Sequence, residues 1–208
     1  MSAPGMTSPI RSEAFNNLQL NAGAFLVDFD HSEITDSEAL KTAVQTALAD
    51  ATKILGVTRG GGSFNVTRET RTPEVDGMRY PFKGADFVDS ADAYLSGTLL
   101  EVTPNNFKRL LGTGDVVTSG KKTTVTMHTA ITTSDYINKL CWVGDLSDGR
   151  LVLIELDNAF NTADFALTFT DKGEGTMTFE FHARQANVTD YNNAPFRVIF
   201  FDKPATQN

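Results

Sequence analysis

Residues 140–156 read LCWVGDLSDGRLVLIEL, and this stretch decides the fold. Apolar runs from Leu140 to Leu146 and from Leu151 to Leu156 flank Asp148-Gly149, a dipeptide that supplies the turn chemistry of a tight hairpin. The runs predict two paired strands. Toward the C-terminus Phe165, Leu167 and Phe169 alternate, DKGEG turns the chain at 171–175, and Met177, Phe179, Phe181 and Ala183 alternate against Thr176, Thr178, Glu180 and His182. A period of two places the first set on a core and the second on a wet face. Phe196 to Phe201 then reads as a buried closing strand.

Upstream of the hairpin, Val125, Met127, Thr129 and Ile131 share one face of a further strand, with Thr124, Thr126 and His128 on the other. Tyr94 to Val102 predicts a strand. Thr103 as N-cap and Pro104 at the first helical position then open a short helix carrying Phe107, Leu110 and Leu111 up to Gly112. Near the N-terminus, Asn21 to Asp30 predicts a strand whose apolar side is Phe25, Val27 and Phe29. Leu40, Val44, Ala47, Leu48, Ala51 and Ile54 recur at helical spacing, with Thr35 and Glu38 as a capping box and Gly56 as the stop. The Gly60-Gly61-Gly62 run reads as a strand-entry turn before Phe64 and Val66, which alternate with Asn65 and Thr67. Residues 72 to 92 carry scattered Pro, Gly and acids and predict a long loop; 1 to 17 form an N-terminal arm and 202 to 208 a C-terminal tail. The expected fold class is α+β, mainly β: one domain over 18 to 201, a β-sandwich or partly open barrel flanked by one long and one short helix.

The chain has 208 residues and a formal charge of −8. That balance disfavours a surface built to grip nucleic acid, and the pairs Lys108-Arg109 and Lys121-Lys122 are too small to form a phosphate-binding patch. No apolar stretch approaches the roughly 18–20 residues of a membrane helix, and the N-terminus offers no signal sequence, so membrane insertion and export are not expected. Cys141 is the single cysteine, which leaves no disulfide framework and no thiolate zinc site. By the usual size scaling, a compact monomer of this mass exposes about 9,500 Å².

Chemistry-bearing motifs are sparse. His31, His128 and His182 fall on separate elements and read as solvated. The acids Asp28, Asp30, Glu33, Asp36 and Glu38 fail the EF-hand pattern, because Glu33 stands at the glycine position, and they suit a strand end and helix N-terminus. The three glycines lack the helix and the Lys-Ser/Thr pair of a phosphate cradle. No nucleophile elbow occurs, and Cys141 reads as a buried strand residue. No enzymatic activity and no cofactor or metal are expected.

The order of these motifs resembles the major tail tube protein family of tailed bacteriophages. The segments concerned are LNAGAFLVDFD (20–30), LGVTRGGGSFNVTRETR (55–71), EVDGMRY (74–80), YLSGTLLEVTPNNFKRLLG (94–112), DYINKLCWVGDLSDGRLVLIELDNAF (135–160), DKGEG, MTFEFHARQ (177–185) and APFRVIF (194–200). The likeness spans roughly residues 18 to 201 and is closer to long, non-contractile tails of phages or prophages of Gram-positive bacteria than to contractile tubes. It implies a tail tube fold whose six copies close into a ring, with rings stacking into a hollow tube for DNA passage. The partners it implies are further copies of the chain, the tape measure, tail terminator and distal tail proteins, and double-stranded DNA passing without specific binding. The location it implies is the virion tail, after assembly in the bacterial cytoplasm. The arm, the loop 72–92 and the C-terminal tail are the segments expected to touch neighbours. A negatively charged lumen suits passage, since a lysine on its wall would be repeated around the ring as a brake on phosphates. Thr124, Thr126, His128, Thr176, Thr178, Glu180 and His182 are the candidate lumen-facing residues; the alternative is that they face outside solvent. The competing function is a monomeric β-sandwich module binding a receptor or carbohydrate; a cell-wall hydrolase is disfavoured by the lack of a paired acid and base.

Overall fold

The computed structural model describes residues 12–190 and 193–204. The predicted hairpin forms as β6 (Ile137–Leu146) and β7 (Leu151–Asn161), paired from Asp145↔Leu151 to Ile137↔Ala159. Its turn is closed by the Gly149 N–H donating to Leu146 O at 2.8 Å, with Gly149 at φ 85°. β1 (Gln19–Val27) adds to β6 and β10 (Phe196–Phe201) adds to β7, all antiparallel. A second layer is built from β2 (Thr58–Arg71), β3 (Phe87–Leu99), β9 (Thr176–His182) and the two-residue β8 (Leu167–Thr168), in the order β2-β3-β9-β8. The layers join where Phe160 and Asn161 at the end of β7 pair with His182 and Phe181. Among the described residues the fold is mainly β, with two α-helices.

The core lies between the layers. Phe25, Leu140, Ile154 and Leu156 from the first sheet meet Leu95, Leu99, Phe179 and Phe181 from the second, all buried. The opposite face of the first sheet carries a second apolar cluster, Leu26, Cys141, Val143 and Leu153, covered by Leu40 and Val44 of α1 (Ser37–Leu48). β1 is therefore apolar on both faces at its end, with Phe25, Leu26 and Val27 all buried, whereas alternation predicted one apolar side. α2 (Pro104–Leu111) has the predicted start, since Thr103 Oγ1 accepts from Asn106 N–H at 3.2 Å. It packs against β7 and against β4 (Gly114–Ser119) and β5 (Lys122–Met127), a separate two-stranded sheet.

Several expectations are corrected. α1 is capped by Asp36, whose Oδ1 accepts from the Glu38 and Ala39 amides at 3.0 and 2.9 Å, so Thr35 and Glu38 form no capping box. The helix stops at Leu48 instead of running to Ile54. Lys53 to Leu55 instead covers the free side of β1, with Val27 N–H donating to Lys53 O at 2.7 Å and Leu55 N–H to Phe25 O at 3.1 Å. A tertiary ladder overrides the helical spacing. Gly60 and Gly61, at φ 73° and 75°, lie inside β2 at an irregularity between Thr58 and Gly62, and are not an entry turn. The loop is shorter than 72–92, because β3 begins at Phe87 and Arg71↔Phe87 extends a hairpin beyond the core. The strand expected to reach Ile131 ends at Met127. β10 is buried only in part: Phe201 is buried and Phe196 and Ile199 are half-buried, while Val198 and Phe200 are exposed, because the second sheet does not extend over them.

Of the expected arm, residues 1–11 lie outside the described residues. Ser12–Asn17 forms a 3-10 turn laid on the β6–β7 turn, with Phe15 O accepting from Ser147 Oγ. Of the expected tail, 205–208 lie outside the described residues, while Asp202 O accepts from the Ser37 amide at 2.9 Å and so belongs to the body.

Candidate interaction surface

The inward residues of β3 and β9 alternate with Asp92, Tyr94, Ser96 and Thr98 on β3 and Thr178, Glu180 and His182 on β9, which therefore share the outer face of the second sheet. Cross-strand register sets Thr178 opposite Thr98, Glu180 opposite Ser96, and His182 opposite Tyr94. β2 continues the row with Ser63, Asn65 and Thr67 opposite Ser96, Tyr94 and Asp92. Ser63 Oγ and Ser96 Oγ lie 2.8 Å apart, and Asn65 Nδ2 donates to Ser63 Oγ at 2.8 Å. Both helices pack elsewhere, α1 on the first sheet and α2 on β4, β5 and β7. This face is polar and uncovered by either helix.

His182 is the most structured group on it. Nδ1 lies 2.5 Å from Asp92 Oδ2 and Nε2 2.9 Å from Glu180 Oε1, while the ring stacks on Tyr94 with centroids 4.8 Å apart. The other two histidines are also held by carboxylates. His128 bridges Asp115 and Asp135, and those two, Asp135 first, raise its pKa above the ordinary histidine range. His31 Nε2 lies 2.8 Å from Glu155 Oε2. The reading of solvated strand histidines is thus corrected; each is a partner to buried or surface acids.

The seven candidate residues fall into two groups. Thr176, Thr178, Glu180 and His182 sit together on β9, on the uncovered face. Thr124 and Thr126 lie on β5 of the separate hairpin, opposite Val117 and Asp115, and His128 follows that strand. Periodicity assigns residues to a face but carries no information on which sheet the face belongs to. Tyr94, Ser96, Ser63 and Asp92 complete the uncovered face and were missed. For Ser63 the signal was the alternation of Asn65 and Thr67 with apolar Phe64 and Val66; that the β3 residues join the same face is set by register.

The acids between strand β1 and helix α1 are occupied by main-chain amides. Asp28 Oδ1 accepts from Asn138 N–H at 3.1 Å, Asp30 from Ser32 N–H at 3.0 Å, and Asp36 caps α1. The Ser32 backbone and side-chain hydrogen bonds hold the Asp30 carboxyl below its usual range. Among the described residues no group of three or more His, Cys, Asp or Glu is placed to hold a metal ion. Fully buried Glu155 is met by His31, by Lys139 Nζ at 3.4 Å and by Arg197, tying β6, β10 and the segment before α1 to β7. Such a buried carboxylate needs those partners to offset its desolvation.

Two clefts, of about 750 and 760 Å³, open beside the start of β10 and under the β2–β3 hairpin. The guanidinium groups that line them are already engaged, Arg197 with Glu155 and Asp157 and Arg184 with Asp92. No helix among the described residues is long and apolar enough to cross a membrane.

No protein-family model and no curated protein matches the chain.

The edges are the remaining feature. Among the described residues β2 pairs only with β3, β8 only with β9, and β10 only with β7. The β2–β3 hairpin carries exposed Val66, Val75, Tyr80, Phe82, Phe87 and Val88. An edge strand presents unpaired N–H and C=O groups, and soluble monomers usually protect it.

Proposed function

We propose that the protein is a structural virion subunit: the major tail tube protein of a long, non-contractile phage tail, closing as a hexameric ring that stacks into a tube. The observation that carries the reading is the second sheet, with a 14-residue strand, β2, at one edge and the two-residue β8 at the other, and one face free of any helix. Edge-to-edge addition of identical sheets satisfies both borders, and closure into a barrel removes edges altogether. The uncovered face would then line the channel with Ser63, Asn65, Ser96, Thr178, Glu180 and Asp92, small or acidic groups that give DNA phosphates little to hold, together with Tyr94 and a His182 ring already engaged by Asp92 and Glu180.

Two further observations support it. The protein exposes 14154 Å², about one and a half times the ~9,500 Å² of a compact monomer of its mass. The β2–β3 hairpin contributes to that excess, since most residues from Val66 to Ala91 are exposed. Apolar side chains at the hairpin are then contacts for a neighbouring subunit or ring, because patches of this kind mark interaction sites.

Negative-stain electron microscopy and sedimentation of the purified protein across concentration and salt test the reading. Rings or tubes of uniform width are expected. The Val66→Lys variant, at a position 48 % exposed in the single chain, is expected to keep its β-sheet circular dichroism and lose assembly. A persistent monomer at high concentration, in wild type as in variant, overturns the proposal and favours a monomeric binding module.

A further inference from the structure

The β4–β5 hairpin forms its own sheet, apart from the two layers. Its base is held by the His128 amide donating to Thr113 O at 2.9 Å, by Gly114 lying against the Lys108 backbone, and by the His128 ring. That ring spans two elements. Nδ1 lies 3.0 Å from Asp115 Oδ2 on β4, and Nε2 lies 3.1 Å from Asp135 Oδ2 in the 3-10 turn Thr133–Asp135 that precedes β6.

Ionised carboxylates only accept hydrogen bonds, while a neutral imidazole has one N–H and one lone pair. Both bonds coexist only on the imidazolium. The two acids differ in what they lose when the ring is neutral. The Asp135 side chain is 2 % exposed and also accepts from the Thr132 amide at 2.7 Å and Thr132 Oγ1 at 2.9 Å. The Asp115 side chain is 57 % exposed and can turn to water.

We infer that His128 is a proton-operated latch: as imidazolium it joins Asp115 on β4 to Asp135 before β6, and when Nδ1 gives its proton to solvent the ring keeps Asp135 and releases Asp115. The other charged groups near it are few. β5 has only Lys122, at the hairpin tip; α2, packed on both strands, carries Lys108 and Arg109. The Arg109 guanidinium donates to Ile54 O and Thr52 O. Tyr136 follows Asp135 and packs against Phe160 with the rings tilted by 40° and centroids 5.1 Å apart. With the pKa raised in the fold, the latch is complete below the ordinary histidine value of 6.5 and opens as pH rises through the higher folded value.

The test follows the His128 ring proton by NMR, together with amide exchange across residues 114–127, on the full chain from acid to mildly alkaline pH, with exchange corrected for its intrinsic pH dependence. Hairpin amides are expected to lose protection several-fold across the His128 midpoint. In Asp115→Asn that midpoint is expected to move down and the step to vanish; in His128→Gln, which cannot titrate, protection is expected to be flat with pH. An exchange profile without a step in wild type, or a step unchanged in Asp115→Asn, overturns the inference. The readout needs no ring or tube, so its outcome is independent of the proposed assembly.

Discussion

The Phe25 ring on β1 meets the Phe179 ring on β9 edge to face, with centroids 5.2 Å apart and planes at 82°. This contact joins the first sheet to the second at the centre of the core, and Gly62 and Gly97 leave room for it: a β-carbon on either would stand 2.7 Å from one of the two rings.

Phe179→Ala is accordingly expected to destabilise the protein by about 3–5 kcal/mol, as large-to-small substitutions at fully buried aromatic positions do. A double-mutant cycle with Phe25→Leu is expected to return a coupling of about 0.5–1.5 kcal/mol. Urea denaturation followed by circular dichroism measures both; additive effects would remove the contact from the core's account.

Gly23 has φ +70°, and a β-carbon there would lie 2.5 Å from Trp142 Nε1, the atom that donates to Ala22 O at 2.9 Å. Gly23→Ala therefore has to displace the indole as well as adopt a left-handed backbone. A loss of about 1–3 kcal/mol is expected, with a red-shifted fluorescence spectrum from the only tryptophan. An unshifted spectrum would contradict this packing.

The cap of α1 separates two adjacent residues. Asp36→Ala is expected to cost about 1 kcal/mol by removing the acceptor for two helix amides, whereas Thr35→Ala is expected to stay within about 0.5 kcal/mol. Thermal melts of the two variants distinguish them, and the reverse ranking would restore Thr35 as the cap.

Burial pushes the Cys141 thiol up, and the Glu155 carboxylate pushes it the same way. Since the thiolate is the reactive species, Cys141 is expected to resist thiol reagents in native protein at neutral pH and to react at once in denaturant. Stoichiometric labelling of the native protein would overturn this.

The central hairpin, the β9 alternation and the Thr103–Pro104 helix start were legible because each rests on local periodicity or on cap and turn chemistry within a few residues. The errors have non-local causes. Ile54 lies on the helical spacing of α1 yet bridges Leu26, and no pattern within the segment distinguishes a helix's apolar face from the edge of a distant strand. β10 reads as a buried strand, apolar but for Arg197, and is half uncovered, because its burial depends on how far the second sheet reaches. The uncovered face was half legible: β9 supplied its four residues, but their neighbours on β2 and β3 are set by register.

The sequence by itself determined a mainly β chain with two helices among the described residues, and an acidic balance, since these follow from composition and short-range alternation. Only the tertiary structure decided that the β5 residues and the β9 residues belong to different sheets, that each histidine is held by one or two carboxylates, and that among the described residues the outer edge of β2 has no partner strand. Pairing across many residues is chosen by the summed burial and hydrogen bonding of the whole fold, which no single segment encodes.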